Sequence, residues 1–223
     1  MSSLPPRVVP APALPREAAE WMARSLQTAL TMKRRASLAL SGGGTPGPAY
    51  RELARMTLPW ERVDVYFVDE RFVPPDHPES NYHLVEEALL RPLRLAPAQV
   101  FRMEGEREDR DAAARDYAAL LPSSLDVVLL GMGPDGHTAS LFPGHPALEE
   151  KSRRVLAVVG PKPPPWRMTL TLPTLLAANA VLMLVAGAGK KDAAQRALAG
   201  DQALPAGRVT NAQWMMDSAA AGR

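Results

Sequence analysis

Short apolar runs end, one after another, in loops rich in glycine, proline or charge, and stretches with helical spacing lie between them. Residues 37–40 run into Ser41-Gly42-Gly43-Gly44-Thr45-Pro46-Gly47, and residues 63–68 into Asp69-Glu70-Arg71 and a proline-rich segment. Residues 125–130 run into Gly131-Met132-Gly133-Pro134-Asp135-Gly136-His137-Thr138, and residues 181–185 into Gly187-Ala188-Gly189-Lys190-Lys191. A parallel strand pair needs a long crossover, normally a helix, so this alternation predicts an α/β fold with a mostly parallel sheet and helices on both faces. Further strands are expected at 100–103, 155–159, 168–172 and 214–216. Helices are expected at 15–30, 49–56, 80–90, 109–121 and from Lys190 to about Ala199, with Ser80 as a cap.

A length of 223 residues suits one domain, and no internal repeat or composition shift marks a boundary. Residues 1–223 are therefore expected to form a single domain with a proline-rich lead-in over about 1–15, the only candidate linker. That lead-in holds five prolines and no long apolar core, so it does not resemble a secretory signal. The longest apolar run, 180–188, is about half a membrane span. With no cysteine, thiol nucleophiles, thiolate zinc sites and disulfides are excluded, and the chain reads as soluble and cytoplasmic. The net charge of +2 carries no nucleic-acid footprint. The anomaly is proline: 23 residues, about twice the usual share of roughly 5%.

In open α/β sheets ligands lie beyond the carboxyl ends of the strands, which gives weight to the loops that follow them. Ser41-Gly42-Gly43-Gly44-Thr45 follows a strand and precedes a helix, where backbone N–H groups can cradle a phosphate and the two hydroxyls can add donors. The spacing Gly42-x-Gly44-x-x-Gly47 is formally the dinucleotide fingerprint, with Asp69 as a candidate ribose ligand. A dehydrogenase is disfavoured, because no tyrosine has a lysine four residues on and no length remains for a second catalytic domain. Arg71 offers a planar fork to a phosphate, and Asp69 can accept from sugar hydroxyls. His137, two residues from Asp135 in a glycine loop, has the setting of a general base. No two of His77, His83, His137 and His145 have the i, i+4 spacing of a metal pair, so no metal is expected. Arg167, at a strand start, and Lys190, after glycines, can converge with Arg71 on one phosphate.

These strings resemble the 6-phosphogluconolactonases, in the superfamily shared with glucosamine-6-phosphate isomerase/deaminase. The motifs S-G-G-G-T-P, V-D-E-R-F-V-P-P-D-H-P-E-S-N, G-M-G-P-D-G-H-T-A-S-L-F-P and R-M-T-L-T-L-P occur in order from Ser41 to Pro173, and G-A-G-K-K extends the match. The resemblance implies a Rossmann-like three-layer fold and cofactor-free hydrolysis of 6-phospho-D-glucono-1,5-lactone to 6-phosphogluconate. It implies that His137 is catalytic, with Arg71, Arg167 and Lys190 on the phosphate side and Asp69 and Asp135 in the acidic positions. The partner expected is a small phosphosugar lactone, bound by a monomer or small homo-oligomer, with neither nucleic acid nor membrane. The deaminases continue the histidine loop as G-H-I-A-F-N-E-P. Here it reads Thr138-Ala139-Ser140-Leu141-Phe142-Pro143, and no carboxylate follows His137 until Glu149. A non-catalytic phosphosugar-binding protein is the third reading.

Overall fold

The computed structural model describes residues 5–223. The strands are β1 (Arg7–Val9), β2 (Ala36–Leu40), β3 (Val63–Phe67), β4 (Asp69–Arg71), β5 (Val100–Phe101), β6 (Val127–Gly131), β7 (Val155–Val159), β8 (Trp166–Leu170), β9 (Ala180–Val185) and β10 (Ala212–Asp217). The α-helices are α1 (Leu14–Met32), α2 (Pro46–Leu53), α3 (Asn81–Val85), α4 (Arg91–Leu93), α5 (Arg110–Leu120), α6 (Leu172–Leu176), α7 (Lys191–Leu198), α8 (Pro205–Arg208) and α9 (Ser218–Ala221). A π-helical stretch, Glu86–Leu90, joins α3 to α4, so the helix expected over 80–90 is continuous but not uniform.

Among the described residues, seven strands form a wholly parallel sheet in the order β1-β10-β9-β6-β2-β3-β5. Every residue of β2 is buried, which for a strand whose side chains alternate between faces means that both faces are covered. On one side lies α1, whose buried positions Leu14, Ala18, Ala19, Met22, Ala23, Leu26 and Leu30 recur at helical spacing. Full burial of Met22 and Leu26 stabilises the fold by about 1.5–3 kcal/mol each. From β2 the chain moves outward to β3 and β5, then returns to place β6 on the other side of β2. Strand order therefore reverses between β2 and β6. That switch point opens a crevice at their carboxyl ends.

A second, three-stranded sheet runs in the order β4-β8-β7 and is antiparallel. The strands expected near 155–159 and 168–172 thus lie in this second sheet and not in the parallel one. No helix separates β7 from β8, only a loop with prolines 161 and 163–165, and a connection without a crossover leaves an antiparallel pairing as the natural outcome. The strand expected at 168–172 is displaced to Trp166–Leu170, because Pro173 near the start of α6 takes Leu172 into that helix. Asp69-Glu70-Arg71 is likewise a strand rather than a loop. Val68 marks the change of sheet: its N–H donates to Leu40 O at 2.9 Å, and its carbonyl accepts from Leu170 N at 2.8 Å.

The proline-rich lead-in carries secondary structure of its own. Arg7–Val9 pairs with Met215, Met216 and Asp217 as a parallel edge strand, a place where flanking prolines cost no ladder hydrogen bonds. Residues 1–4 of that segment lie outside the described residues. No helix among the described residues is long and apolar enough to cross a membrane.

Candidate active site

A cleft of about 150 Å³ opens at the switch point. Its walls include Ser41, Gly42, Gly43, Gly44 and Thr45 after β2, Gly131 to Gly133 after β6, His137, Asp69 and Arg71 on β4, Arg167 on β8, and Lys190. The fold thus brings together Ser41 to Thr45, Asp69, Arg71, His137, Arg167 and Lys190, whereas Asp135 does not line the cleft but stands behind His137.

The glycine loop is pinned from below. Ser41 Oγ donates to Leu129 O at 2.9 Å and Tyr50 Oη donates to Ser41 O at 2.5 Å. The Ser41 hydroxyl, which lines the cleft, is thus engaged with the main chain in this ligand-free structure. The loop is closely approached: a Cβ on Gly42 would lie 1.7 Å from Asn81 Oδ1, while Gly43 holds φ +99°. Both positions demand glycine, one for space and one for conformation. Gly47, the last residue of the formal fingerprint, is buried in α2 and does not line the cleft.

His137 is set by its own loop. Its Nδ1 lies 2.5 Å from Asp135 Oδ1, and its backbone N–H donates to the same oxygen at 3.3 Å. A carboxylate only accepts, so Nδ1 carries a proton, and whenever the ring is neutral Nε2 keeps the lone pair. Partial burial pushes the Asp135 carboxyl up, but the attraction of His137 and the hydrogen bonds from its ring and backbone outweigh this and hold Asp135 below its ordinary value. The imidazole lies on Gly133, where a Cβ would come within 2.1 Å of Cε1, and its other neighbour is Phe142, with ring centroids 5.0 Å apart. This loop also contains Ala139 at φ +51°, a strained conformation for a residue with a Cβ, placed in the cleft wall.

Three cations line the same cleft. Arg71 and Arg167 are register partners across β4 and β8. Arg167 donates through Nε to Pro164 O at 3.0 Å and through a terminal nitrogen to Lys162 O at 3.4 Å. Burial and then the like charge of Arg71 pull its pKa down. Arg71 donates to Glu79 O at 2.5 Å, and its Nε is buried without a protein partner. Lys190 Nζ donates to Thr45 Oγ1 at 3.4 Å; burial lowers its pKa, with Asp217 opposing. Asp217 in turn accepts from Gly187 N at 3.1 and 3.0 Å and so fixes the turn that carries Lys190.

Asn81 also lines the cleft and was not singled out in the sequence, although it closes the motif that ends in E-S-N. Its Nδ2 donates to Asp69 O at 2.8 Å and Asp69 Oδ1 at 3.2 Å, while Ser140 Oγ donates to Asp69 Oδ2 at 2.7 Å. Asp69 is thereby clamped from both sides. Behind it, the buried Glu70 accepts from the N–H groups of Asn81 and Tyr82 and from Ser80 Oγ, which fixes the start of α3. The one group of histidine and carboxylates able to share an ion among the described residues, His83, Glu86 and Glu87, is outside the cleft, and both glutamates pair with Arg91.

Residues 10–216 match the family model of glucosamine-6-phosphate isomerases/6-phosphogluconolactonase. The chain belongs to this isomerase/lactonase family. Within the family, it is 41% identical over 213 residues to 6-phosphogluconolactonase of Streptomyces coelicolor, covering 84% of this chain and 82% of that protein. With the Rattus norvegicus 6-phosphogluconolactonase it shares 42% identity over 207 residues, covering 84% and 80%. Among solved structures of the family, the 6-phosphogluconolactonase of Shewanella baltica superposes with a TM-score of 0.88 at 29% identity, covering 97% of this chain and 99% of that one. A monomeric glucosamine-6-phosphate deaminase, 24% identical, superposes with a TM-score of 0.85, so the isomerase/lactonase fold is common to both activities.

Proposed function

We propose that the cleft hydrolyses 6-phospho-D-glucono-1,5-lactone to 6-phosphogluconate, the second step of the oxidative pentose phosphate pathway. The observation that carries this reading is that a histidine oriented by a carboxylate lines the same cleft as three cations. A lactone is an activated ester and needs little more than a held substrate, a base for water and a donor for one oxyanion. Arg71, Arg167 and Lys190 hold the phosphate, which supplies orientation rather than chemistry. Asp69, clamped by Asn81 and Ser140, accepts from a sugar hydroxyl.

His137 Nε2 takes a proton from water as its oxygen bonds to C1. The carbonyl π electrons move to oxygen, and backbone N–H groups of the glycine loops stabilise the oxyanion. As the carbonyl re-forms, the C1–ring oxygen bond breaks and the imidazolium protonates the departing oxygen. Asp135 keeps Nδ1 protonated throughout and stabilises the transient charge. No step calls on a cofactor. The reading takes residues 1–223 as one catalytic domain of a cytoplasmic enzyme, a monomer or small homo-oligomer.

A stopped assay with freshly generated lactone, corrected for spontaneous opening, tests this on wild type and His137→Ala. Equal rates would refute it. Ammonia release from glucosamine 6-phosphate would favour the deaminase, which the absence of a carboxylate over Thr138 to Leu148 argues against. Binding of 6-phosphogluconate with no rate above the blank would mark a sensor.

A further inference from the structure

The ladder that presents Arg71 and Arg167 has a second face. The next pair along it is Phe72 and Trp166, whose backbones are joined by Phe72 N donating to Trp166 O at 3.0 Å. Side chains alternate along a strand, so these two rings project away from the cleft, and neither lines it. Onto them comes Arg110, the first residue of α5. Its guanidinium carbon lies 4.4 Å from the Trp166 ring centroid and 5.6 Å from that of Phe72. Arg110 Nε is buried with no hydrogen-bond partner. A cation stripped of water gains more from an aromatic face than an exposed one does.

The segment leading to Arg110 wraps the same strand. A Cβ at Gly105 would lie 2.3 Å from Arg71 O and 2.9 Å from Val73 O, so this loop is laid directly on the backbone that carries Arg71. Arg110 is itself held, because Asp109 caps α5 by accepting from Ala112 N at 2.9 Å. Such support answers a physical need. β4 has only three residues, and its last one faces another arginine across the ladder. Like charges directly opposite one another drive a short ladder apart.

We propose that Arg110 is a positioning residue for phosphate binding. By stacking on Phe72 and Trp166 behind the ladder, it fixes the angle between Arg71 and Arg167 without touching substrate. This rests on the phosphate-binding reading of the cleft, and the test separates the two.

Wild type, Arg110→Gln and Arg110→Lys are compared by lactonase kinetics and by calorimetric titration with 6-phosphogluconate and with inorganic phosphate. Arg110→Gln is expected to raise KM and the 6-phosphogluconate Kd about tenfold while kcat stays within about twofold. Arg110→Lys, which keeps a cation over the rings, is expected to recover most of the loss. A purely structural role would instead lower kcat with the folded fraction and leave KM unchanged, and that result overturns the proposal, as does an unchanged KM and Kd. If Arg110→Gln does not fold, Trp166→Leu removes the nearer ring and carries the same expectation. Failure of wild type itself to bind either ligand strikes the phosphate-binding reading, not Arg110.

Discussion

Arg71 and Arg167 are register partners across β4 and β8, and both side chains enter one cleft. Two guanidinium groups so placed repel each other, and the phosphate dianion of the proposed substrate is expected to relieve that repulsion. Either Arg→Ala variant is expected to raise KM by about 10- to 100-fold, the worth of a charge-assisted hydrogen bond, with a smaller change in kcat. In differential scanning fluorimetry, 6-phosphogluconate is expected to raise the Tm of wild type clearly and that of either variant much less. Equal shifts in all three proteins would show that the phosphate lies elsewhere.

The His137–Asp135 pair separates proton transfer from orientation. His137→Ala is expected to lower kcat by about 10²–10⁴-fold, the range of general base help, with circular dichroism unchanged. Asp135→Asn keeps the shape but permits the wrong tautomer, so its loss is expected to be smaller than that of His137→Ala and to appear in kcat rather than KM. A larger loss in Asp135→Asn than in His137→Ala would mean that the carboxylate itself is the base.

Lys190 gives the cleft a pH dependence on its alkaline side. Burial lowers its pKa below the ordinary lysine value of 10.5, so the ammonium in the free protein is lost at lower pH than an exposed lysine would lose it. The 6-phosphogluconate Kd is therefore expected to rise as pH increases towards 10, while the arginines remain charged. Lys190→Arg is expected to flatten that rise. Titration calorimetry on the product avoids the spontaneous opening of the lactone in base.

Gly42 and Gly43 fail for different reasons when substituted. Gly42→Ala drives a methyl into the Asn81 amide and so disturbs the clamp on Asp69. Activity is expected to fall sharply. Gly43→Ala meets no atom within 4 Å but must adopt φ +99°, so it is expected to cost stability of about 1–2 kcal/mol through strain. Urea unfolding beside the lactonase assay distinguishes these outcomes.

At the opposite end of the sheet, Asp126 ties β2 to the turn before β9. Its side chain is 4% exposed, pairs with Lys33, and accepts from Ser37 N at 2.9 Å, Ser37 Oγ at 3.0 Å and Asn179 Nδ2 at 3.0 Å. Burial pushes this carboxyl up, but the hydrogen bonds of Lys33, Ser37 and Asn179 together hold its pKa below the ordinary value of 3.8. A depressed carboxylate pKa stabilises the fold above the unfolded value, and that contribution is lost as pH falls through the folded value. Asp126→Ala is expected to cost about 2–4 kcal/mol at pH 7, by stranding buried donors, and less below pH 3. Urea midpoints at the two pH values check it, with lactonase activity per folded molecule unchanged.

The centre of the parallel sheet was legible in the sequence because β2, β6 and β9 are almost wholly buried and read as short, largely apolar runs. Most of the cleft was legible for a related reason: the residues that end those runs are glycines, charges and a histidine that no core needs. The antiparallel sheet was not, since Asp69-Glu70-Arg71 carries no strand pattern and becomes a strand only by pairing with β8. β1 escaped notice because three residues between prolines have no period. Asn81 was hidden in a helix start, where its neighbour Ser80 already explained the local pattern. The engagement of the Ser41 hydroxyl with Leu129 O depends on a strand pairing between distant residues, which no local motif records.

The loop before β8 has a chemical asymmetry with consequences for the cleft. Over 161–165 the chain reads Pro-Lys-Pro-Pro-Pro, so five carbonyl groups are accompanied by one backbone N–H. Such a segment is an acceptor surface nearly devoid of donors, and two of its carbonyls receive the guanidinium of Arg167. An anion approaching Arg167 therefore finds almost no competing amide in the loop and is directed to the guanidinium's remaining edge. Proline here selects the sign of what the loop can hold as much as its shape.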